Sequence, residues 1–415
     1  MNLFSIFQQQ WNRLKLKETG ALAFSTALGQ IITYVLLPVV GRLYTSQDFS
    51  DFAIFYAWLI PLSILSSLRI ELAIPNQPEV EDQHRVTGLA LSMSFFFSIF
   101  IQILILLLYF ILPSFNRLYL FIPLGILCIA VPQTLYFLCT RKNHYQQSAW
   151  YRILNNLGIQ AATIGLGYFG FGVWGLMWGL LIGQVIGALT LSYGHLKSIF
   201  PYLQYPFLKN QLVTFKNYIY YSMPQALLES LQLSGTIALL SILFHDPFPG
   251  IYYLAWRILQ APITAISNTL FVVQYNESAK LFHQNKSYVE NIKTYARYMT
   301  IIGLLIGGIL FFWGPQLFSL FLGAQHFLSG KMAQYLAIWF TLQFIVSPFS
   351  FAALLKNKQR TSLLLNGMDI IFKLIAFIIG YYLENVWYAL GMYSILSALL
   401  NIFTFRWYIN ISEAS

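Results

Sequence analysis

Long apolar stretches fill almost the whole chain, and they restrict its fold more than any other feature. Roughly twelve stretches of about 20 residues each follow one another from Gly20 to Ile409, with short polar segments between them. Inside lipid there is no water to bind peptide groups, so each stretch must satisfy its own backbone hydrogen bonds, as a helix does. The sequence therefore predicts an all-α polytopic membrane protein.

The composition supports this fold class and excludes several functions. Of the 415 residues, 58% are hydrophobic and only 9% are charged, whereas soluble domains carry about 25% charged residues. The net charge of +10 is assigned to loops that face anionic headgroups, and no nucleic-acid partner is expected. Cys128 and Cys139 lie in one apolar stretch and are expected to be free thiols, with no metal site.

Positive charges predict the orientation. With the N-terminus inside, most Lys and Arg residues fall in inner segments, and the outer loops hold only Arg42, Arg117 and Lys331. This asymmetry predicts a multi-pass protein of the bacterial cytoplasmic (inner) membrane, with both termini cytoplasmic. It also places two long loops, 194–217 and 274–294, inside. The outer loops are short, which argues against a membrane glycan polymerase or ligase.

Two segments suggest an internal repeat. The second span contains DFSDFAIFYAWLI at 48–60, and the eighth contains DPFPGIYYLAWRI at 246–258, so that Asp, Ala, Trp and Ile coincide. Parallel repeats of this kind are a transporter architecture, with the substrate site between the halves. The predicted spans are about 20–40, 51–72, 87–112, 118–139, 149–169, 171–193, 218–243, 249–273, 295–322, 333–354, 362–382 and 385–409.

These spans group into two six-helix bundles. The predicted organisation is a cytoplasmic amphipathic segment 1–19, an N-terminal bundle 20–193, a cytoplasmic linker 194–217, a C-terminal bundle 218–409 and a cytoplasmic tail 410–415. Pro38 and Pro224 occupy matched spans of the two bundles. Because proline removes an intrahelical hydrogen bond, both are candidate hinges, although membrane helices also tolerate proline as a simple bend.

The junction between the first two spans resembles a known family. Leu36 to Ala57 reads LLPVVGRLYTSQDFSDFAIFYA, an apolar helix that ends in Pro-x-x-x-Arg and is followed by a short acidic-aromatic turn. This pattern resembles the polysaccharide flippases of the multidrug/oligosaccharidyl-lipid/polysaccharide exporter (MOP) superfamily. YLAWRILQAP, from Tyr253 to Pro262, resembles the eighth helix of that family. The family often has Gly where this chain has Ser50.

The resemblance implies a fold and a substrate class. The fold would be MATE-like, with about twelve transmembrane helices that form a V-shaped pair of bundles and open alternately to each side of the membrane. The substrate would be a sugar carried on a polyprenyl diphosphate, and the lipid tail would stay among membrane lipids. Other polysaccharide assembly proteins are further candidate partners.

Charged residues inside the spans are the candidate functional groups, because a charge at bilayer depth costs several kcal/mol. The expected substrate-binding residues are Arg257, Lys373, Arg152 and Arg69, and the expected coupling or charge-pairing residues are Glu229, Asp369 and Glu71. Each has a structural alternative. Arg69 and Arg152 could extend to the headgroups, Asp369 and Lys373 could neutralise each other across one helical turn, and Glu229 could pair with Arg257.

Together these observations predict a flippase that moves a polyprenyl-diphosphate-linked oligosaccharide from the cytoplasmic to the outer leaflet by alternating access, and not an enzyme. No catalytic residue and no cofactor is expected, and any coupling ion would be H⁺ or Na⁺. The alternatives are a cation-coupled multidrug exporter of the same superfamily and, less favoured, a membrane glycan polymerase or ligase. Glycosyltransferase genes next to this gene would support glycan export.

Overall fold

Helices form every regular element of the described chain. The computed structural model describes residues 16–112, 115–203, 214–284, 286–356 and 358–413, and it contains no β-strand within those ranges. The all-α prediction is therefore confirmed. Most of the predicted amphipathic segment 1–19 lies outside the described residues. The predicted tail begins inside a helix that continues to Glu413.

The chain divides into two compact units. Unit 1 comprises Met1–Tyr44 and Phe55–Ser230, and unit 2 comprises Thr45–Ile54 and Leu231–Ser415. The beginning of the second helix thus belongs to unit 2, although the rest of that helix belongs to unit 1. The predicted boundary between the bundles, at 194–217, stays a prediction.

Unit 1 consists mainly of long helices. They are α1 (Leu16–Leu43), α2 (Ser46–Ser67), α3 (Val80–Ile111), α4 (Ile122–Arg141), α5 (Tyr145–Tyr168), α6 (Val173–Ser192) and α7 (Met223–Leu231). A 3₁₀ segment, Ile70–Asn76, separates α2 from α3. Within the predicted linker, the structure describes a helical turn at Leu196–Ile199 and a 3₁₀ turn at Phe200–Leu203.

Helices α5 and α6 approach each other closely because glycines remove side chains from their interface. A Cβ atom added at Gly183 would overlap Ile159, and one added at Gly179 would overlap Thr163. The Asn155 side-chain amide also donates to the carbonyl of Gly183 at 3.1 Å. Small residues and interhelical amide bonds are the usual means by which helices associate in lipid.

Unit 2 contains several interrupted helices. Its elements are α8 (Ser234–Leu243), α9 (Phe248–Pro262), α10 (Asn268–His283), α11 (Val289–Leu322), α12 (Phe327–Tyr335), α13 (Ala337–Val346), α14 (Phe351–Leu355), α15 (Gln359–Tyr382) and α16 (Val386–Glu413). A π-helical turn, Ile263–Ser267, joins α9 to α10. A 48° bend separates Tyr218–Leu231 from Ser234–Leu243.

Each predicted span corresponds to helix. In the described part of the chain, nine helices are long and apolar enough to cross a membrane, or ten if the bent pair is counted as one span. Outside this set are α5, which carries Arg152, Asn155 and Asn156, and the α9–α10 pair, which the π-turn interrupts. The polar residues of α5 lower its hydropathy, although its packing against α6 is close.

One predicted loop is wrong. The segment 274–294 was expected to be a long inner loop, but α10 continues to His283 and α11 begins at Val289. Only 284–288 connects the two helices. The expectation failed because a helix that leaves the apolar layer keeps its backbone hydrogen bonds while its side chains become polar.

Candidate functional site

Within unit 1, the guanidinium of Arg152 lies among neighbouring helices. It donates from Nη1 to the hydroxyl of Thr26 on α1 and from Nη2 to the hydroxyl of Tyr136 on α4, the latter at 2.6 Å. Its Cζ atom also lies 4.9 Å from the centre of the Tyr136 ring. These donors point to side chains of two other helices, so Arg152 joins α5 to α1 and α4.

The partners of Arg152 are hydroxyl groups rather than carboxylates. Hydroxyl groups satisfy donors but bring no negative charge, so the positive charge of the side chain is not neutralised by these bonds. The backbone carbonyl of Arg152 accepts from the Asn156 amide at 2.8 Å, and Asn156 in turn accepts from Thr33 on α1 at 3.1 Å. This chain of polar contacts fixes α5 against α1.

A second charged group of unit 1 lies where α2 gives way to the 3₁₀ segment. Arg69 has a left-handed backbone, with φ of 61°, and its Nη1 lies 3.5 Å from Oε1 of Glu71. Glu71 is only 1% exposed, and its Oε1 also accepts from the Gln133 amide at 3.2 Å. Its other oxygen, Oε2, has no hydrogen-bond partner among the described residues.

Unit 2 holds the fully buried Lys373, which is 2% exposed. Its ammonium donates to the backbone carbonyl of Gln232 at 2.9 Å and to the side-chain oxygen of Gln232 at 3.0 Å. It also lies 4.9 Å from the centre of the Tyr393 ring. Gln232 lies at the break between α7 and α8, where an interrupted helix leaves carbonyl groups without backbone donors, and its carbonyl also accepts from the Thr236 hydroxyl at 2.8 Å. Lys373 thus stabilises the bend.

Asp369 lies one turn before Lys373 on α15 but accepts from Ser397 on α16. The two charges interact electrostatically, although each makes its hydrogen bonds to another helix. Lys373 therefore supports the interior of unit 2 in this conformation. Its predicted contact with substrate stays a prediction, and that contact would require the ammonium to leave Gln232.

The predicted pair of Arg257 and Glu229 is divided between the units. Arg257 is half-buried on α9 in unit 2, and Glu229 is exposed on α7 in unit 1, where it accepts from the Gln225 amide at 3.1 Å. Their pairing, and the contact of Arg257 with substrate, stay predictions.

The candidate hinge residues occupy different positions. Pro38 lies inside the continuous helix α1, and Pro224 is the second residue of α7, directly after a π-helical turn at Tyr218–Ser222. The 48° bend of this span lies near Gln232, away from Pro224.

Three residues that contact the predicted charged groups, Gln232, Tyr136 and Gln133, were not identified from the sequence. A polar amide or a tyrosine inside an apolar stretch was the available signal.

An open cavity of about 400 Å³ lies at one end of unit 2. Aromatic side chains line it together with two polar residues. The lining residues are Leu243, Phe244, Phe248, Tyr381, Glu384, Asn385, Val386 and Trp387. Aromatic residues at helix ends are typical of membrane interfaces, so this lining does not by itself indicate a ligand.

Comparison with protein families gives a match over residues 39–329 to the family described as polysaccharide biosynthesis protein. The chain belongs to this family. No curated protein sequence matches this chain. The family part of the predicted resemblance, to proteins of polysaccharide synthesis, is confirmed by the family match.

Solved structures show the same fold. An inward-facing multidrug resistance MATE family transporter of the MOP superfamily aligns with a TM-score of 0.67 and 16% identity, over 93% of this chain and 96% of that one. The lipid II flippase MurJ, in an inward closed conformation, aligns with a TM-score of 0.69 and 12% identity, over 94% of this chain and 87% of that one.

A MOP superfamily transporter from Pyrococcus furiosus aligns with a TM-score of 0.60 and 16% identity, over 95% of this chain and 96% of that one. At these identities the likeness establishes the fold alone. The present chain is therefore a multi-pass membrane protein with a MATE-like and MurJ-like helical fold.

Proposed function

We propose that this protein is a flippase that moves a polyprenyl-diphosphate-linked oligosaccharide from the cytoplasmic to the outer leaflet of the bacterial inner membrane. The product would supply surface polysaccharide synthesis of the O-antigen type. Family membership connects the chain to polysaccharide biosynthesis, and the fold occurs in multidrug transporters and in a lipid II flippase. The observation that carries the proposal is the environment of Arg152.

Arg152 offers positive charge inside a membrane-spanning unit without a carboxylate among its hydrogen-bond partners. A diphosphate carries several oxygens that accept hydrogen bonds, and a guanidinium presents its donors as a planar fork that matches them. In a medium of low dielectric constant such a pair is strong. We assign Arg152 the first contact with the diphosphate, and the expected substrate contacts of Arg69 and Arg257 stay separate predictions.

Transport needs an energy source and a change in access. A membrane potential supplies about 2.3 kcal/mol per charge per 100 mV, which is enough to bias alternating access. The bend near Gln232 is a further candidate for movement beside Pro38 and Pro224, because the helix is interrupted there. The coupling ion stays open between H⁺ and Na⁺.

Complementation of a flippase-null host tests the proposal. Arg152→Ala should abolish surface glycan while membrane abundance stays near that of the wild type, and Arg152→Lys should retain part of the export. Arg85→Ala is the matched control, because Arg85 forms exposed ion pairs with Glu81 and Asp82 at a helix end. Normal glycan in the Arg152→Ala strain would contradict the proposed role.

The cytoplasmic orientation is part of the proposal and has its own test. The natural thiols Cys128 and Cys139 are both buried, so a cysteine introduced at Gln284, in the short connection between α10 and α11, provides the main reactive site. An impermeant thiol reagent should label it only after cells are opened. Labelling in intact cells would show that this connection faces outward and would contradict the proposed orientation.

One observation favours the second candidate, a cation-coupled multidrug exporter. Glu71 is a buried carboxylate with one oxygen that has no partner within the described residues, as expected of a group that takes up a cation during transport. In that case Glu71→Gln should abolish drug efflux and leave surface glycan unchanged. Loss of glycan without any drug phenotype would favour the flippase.

A further inference from the structure

Three histidines and a lysine form a continuous chain of contacts at one end of unit 1. Lys142 Nζ lies 2.8 Å from Nε2 of His84 and 3.5 Å from Nδ1 of His195. His195 Nε2 lies 3.2 Å from Nδ1 of His144, and the two rings are 5.1 Å apart at their centres. These four residues, called here the histidine cluster, join α3, the α4–α5 turn and the segment after α6.

Chemistry fixes the direction of the bonds in this chain. An ammonium group only donates, so Nε2 of His84 and Nδ1 of His195 both accept from Lys142. His195 must then carry its proton on Nε2, from which it donates to His144. All three imidazoles are therefore neutral in this arrangement, and Lys142 carries the only charge of the cluster.

No carboxylate hydrogen-bonds or pairs with the cluster among the described residues. Glu81 and Asp82, which lie nearby in sequence, both pair with Arg85. The other titratable or charged groups around the cluster are Cys139, whose thiol lies 3.9 Å from the Gln147 side chain, Arg141, which donates to the carbonyl of Gln77, and Tyr202, whose ring lies 6.2 Å from that of His84.

The charge of Lys142 is thus partly buried without a counter-ion. Burial lowers the pKa of Lys142, and burial together with Lys142, His144 and His84 lowers the pKa of His195 to about 4. The apolar layer below contains Leu135, Leu138 and Leu191, all at most 1% exposed. An anion placed against the cluster would offset the cost of burying the charge of Lys142.

The position of the cluster indicates which anion would reach it. Lys142 directly follows the span Arg117–Arg141, and His195 follows the span Val173–Ser192 within a few residues. Both therefore lie at the depth at which apolar helices end and lipid headgroups begin. The phosphate of an anionic headgroup is the abundant anion at that depth.

We propose that His84, Lys142, His144 and His195 bind the phosphate group of an anionic lipid headgroup, and that the histidines take up protons as the phosphate binds. On binding, Lys142 turns donors from the imidazoles to the phosphate oxygens, and the imidazoles change from acceptors to donors. Affinity should therefore rise as the pH falls. The site does not depend on the proposed flippase function, because it can be measured without transport.

Histidine titration by NMR tests the proposal on the full-length protein. The chain has six histidines, so selective ¹⁵N labelling gives few signals, which His→Gln variants assign. The protein is placed in nanodiscs of phosphatidylcholine, in nanodiscs that also contain phosphatidylglycerol, and in phosphatidylcholine nanodiscs with inorganic phosphate in the buffer. The exposed His245, in unit 2, serves as the internal reference.

With phosphatidylglycerol, the titration midpoints of His144 and His195 should rise by about one pH unit or more relative to His245, which corresponds to about tenfold tighter binding of the protonated form. If the midpoints rise with inorganic phosphate but not with phosphatidylglycerol, the cluster binds free phosphate from solution and not a lipid headgroup. Lys142→Gln should remove the effect, and Lys293→Ala, in an exposed pair with Glu413, should not. Midpoints that move no more than that of His245 in both arms would overturn the proposal.

Discussion

Unit 1 and unit 2 each contain a cation inside a helical layer, and the two cations have different surroundings. Arg152 in unit 1 is half-buried and contacts the hydroxyls of Thr26 and Tyr136. Lys373 in unit 2 is fully buried, holds a backbone carbonyl at a helix break, and lies near Asp369. The proposed function therefore assigns the first charge to an anion, whereas the second is hydrogen-bonded at a helix break.

This difference shows that the number of charges in the spans is a poor guide to function. Both residues are cations in apolar stretches, and each has a structural alternative in the sequence, extension to the headgroups for Arg152 and pairing with Asp369 for Lys373. The contacts separate them, because a donor that points to a freed carbonyl is structural, whereas a donor held by hydroxyls can exchange its partner for a phosphate oxygen at small cost.

The largest expected effect is that of Lys373→Ala. It leaves the Gln232 carbonyl and the Asp369 carboxylate without their cation and also creates a cavity, so the protein should lose about 3–5 kcal/mol of stability. Thermal unfolding of the purified protein and its abundance in membranes measure this. Lys293→Ala is the matched control and should cost less than about 1 kcal/mol. If the Lys373→Ala protein kept normal stability but lost transport, Lys373 would be the cation that serves transport, and its structural role would be contradicted.

A smaller effect is expected from Tyr136→Phe. The substitution removes the hydroxyl that accepts from Arg152 but keeps the ring that the guanidinium faces. Loss of one hydrogen bond to a charged group is worth about 1.5–3 kcal/mol, part of which the substrate would recover. Transport should fall by about tenfold or less, at unchanged abundance. A loss as large as that of Arg152→Ala would mean that Tyr136 contacts substrate itself.

The smallest effect concerns stability as a function of pH. The folded state holds the pKa of His195 at about 4, against 6.5 for an unperturbed histidine, so the unfolded chain binds more protons between these values. Stability should therefore fall as the pH is lowered from 6.5 towards 4. Melting temperatures at pH 7.5 and pH 5 measure this. Because the charge of Lys142 is one cause of the lowered pKa of His195, Lys142→Gln should show a shallower loss of stability with falling pH. An equally steep loss would mean that the charge of Lys142 does not contribute.

Much of the fold follows from the sequence. The apolar stretches required helices, and each predicted span corresponds to helix in the structure. The extension of α10 to His283 could not be predicted from hydropathy, because this part of the helix is polar. The bend near Gln232 was not predicted either, although Ser234 and Gly235 follow it directly and such pairs are a known cause of helix kinks.

The candidate site was less predictable than the fold. The sequence identified Arg152, Arg69, Glu71 and Lys373 as intramembrane charges, but their partners come from other helices. Thr26 lies 126 positions from Arg152, and Gln232 lies 141 from Lys373. The histidine cluster joins residues that are 51 to 58 positions apart. Such contacts depend on how helices pack, and a single sequence carries no direct record of that packing.

Transport by purified protein tests the central claim, that the charge of Arg152 serves the diphosphate, most directly. Proteoliposomes with wild-type protein, Arg152→Ala or Arg152→Lys would be compared on a polyprenyl-diphosphate-linked sugar and on an uncharged analogue that lacks the diphosphate. We predict that Arg152→Ala lowers translocation of the charged lipid by more than about tenfold, that Arg152→Lys lowers it less, and that neither changes the analogue. Equal translocation of the charged lipid by wild type and Arg152→Ala, at equal melting temperature, would contradict the claim.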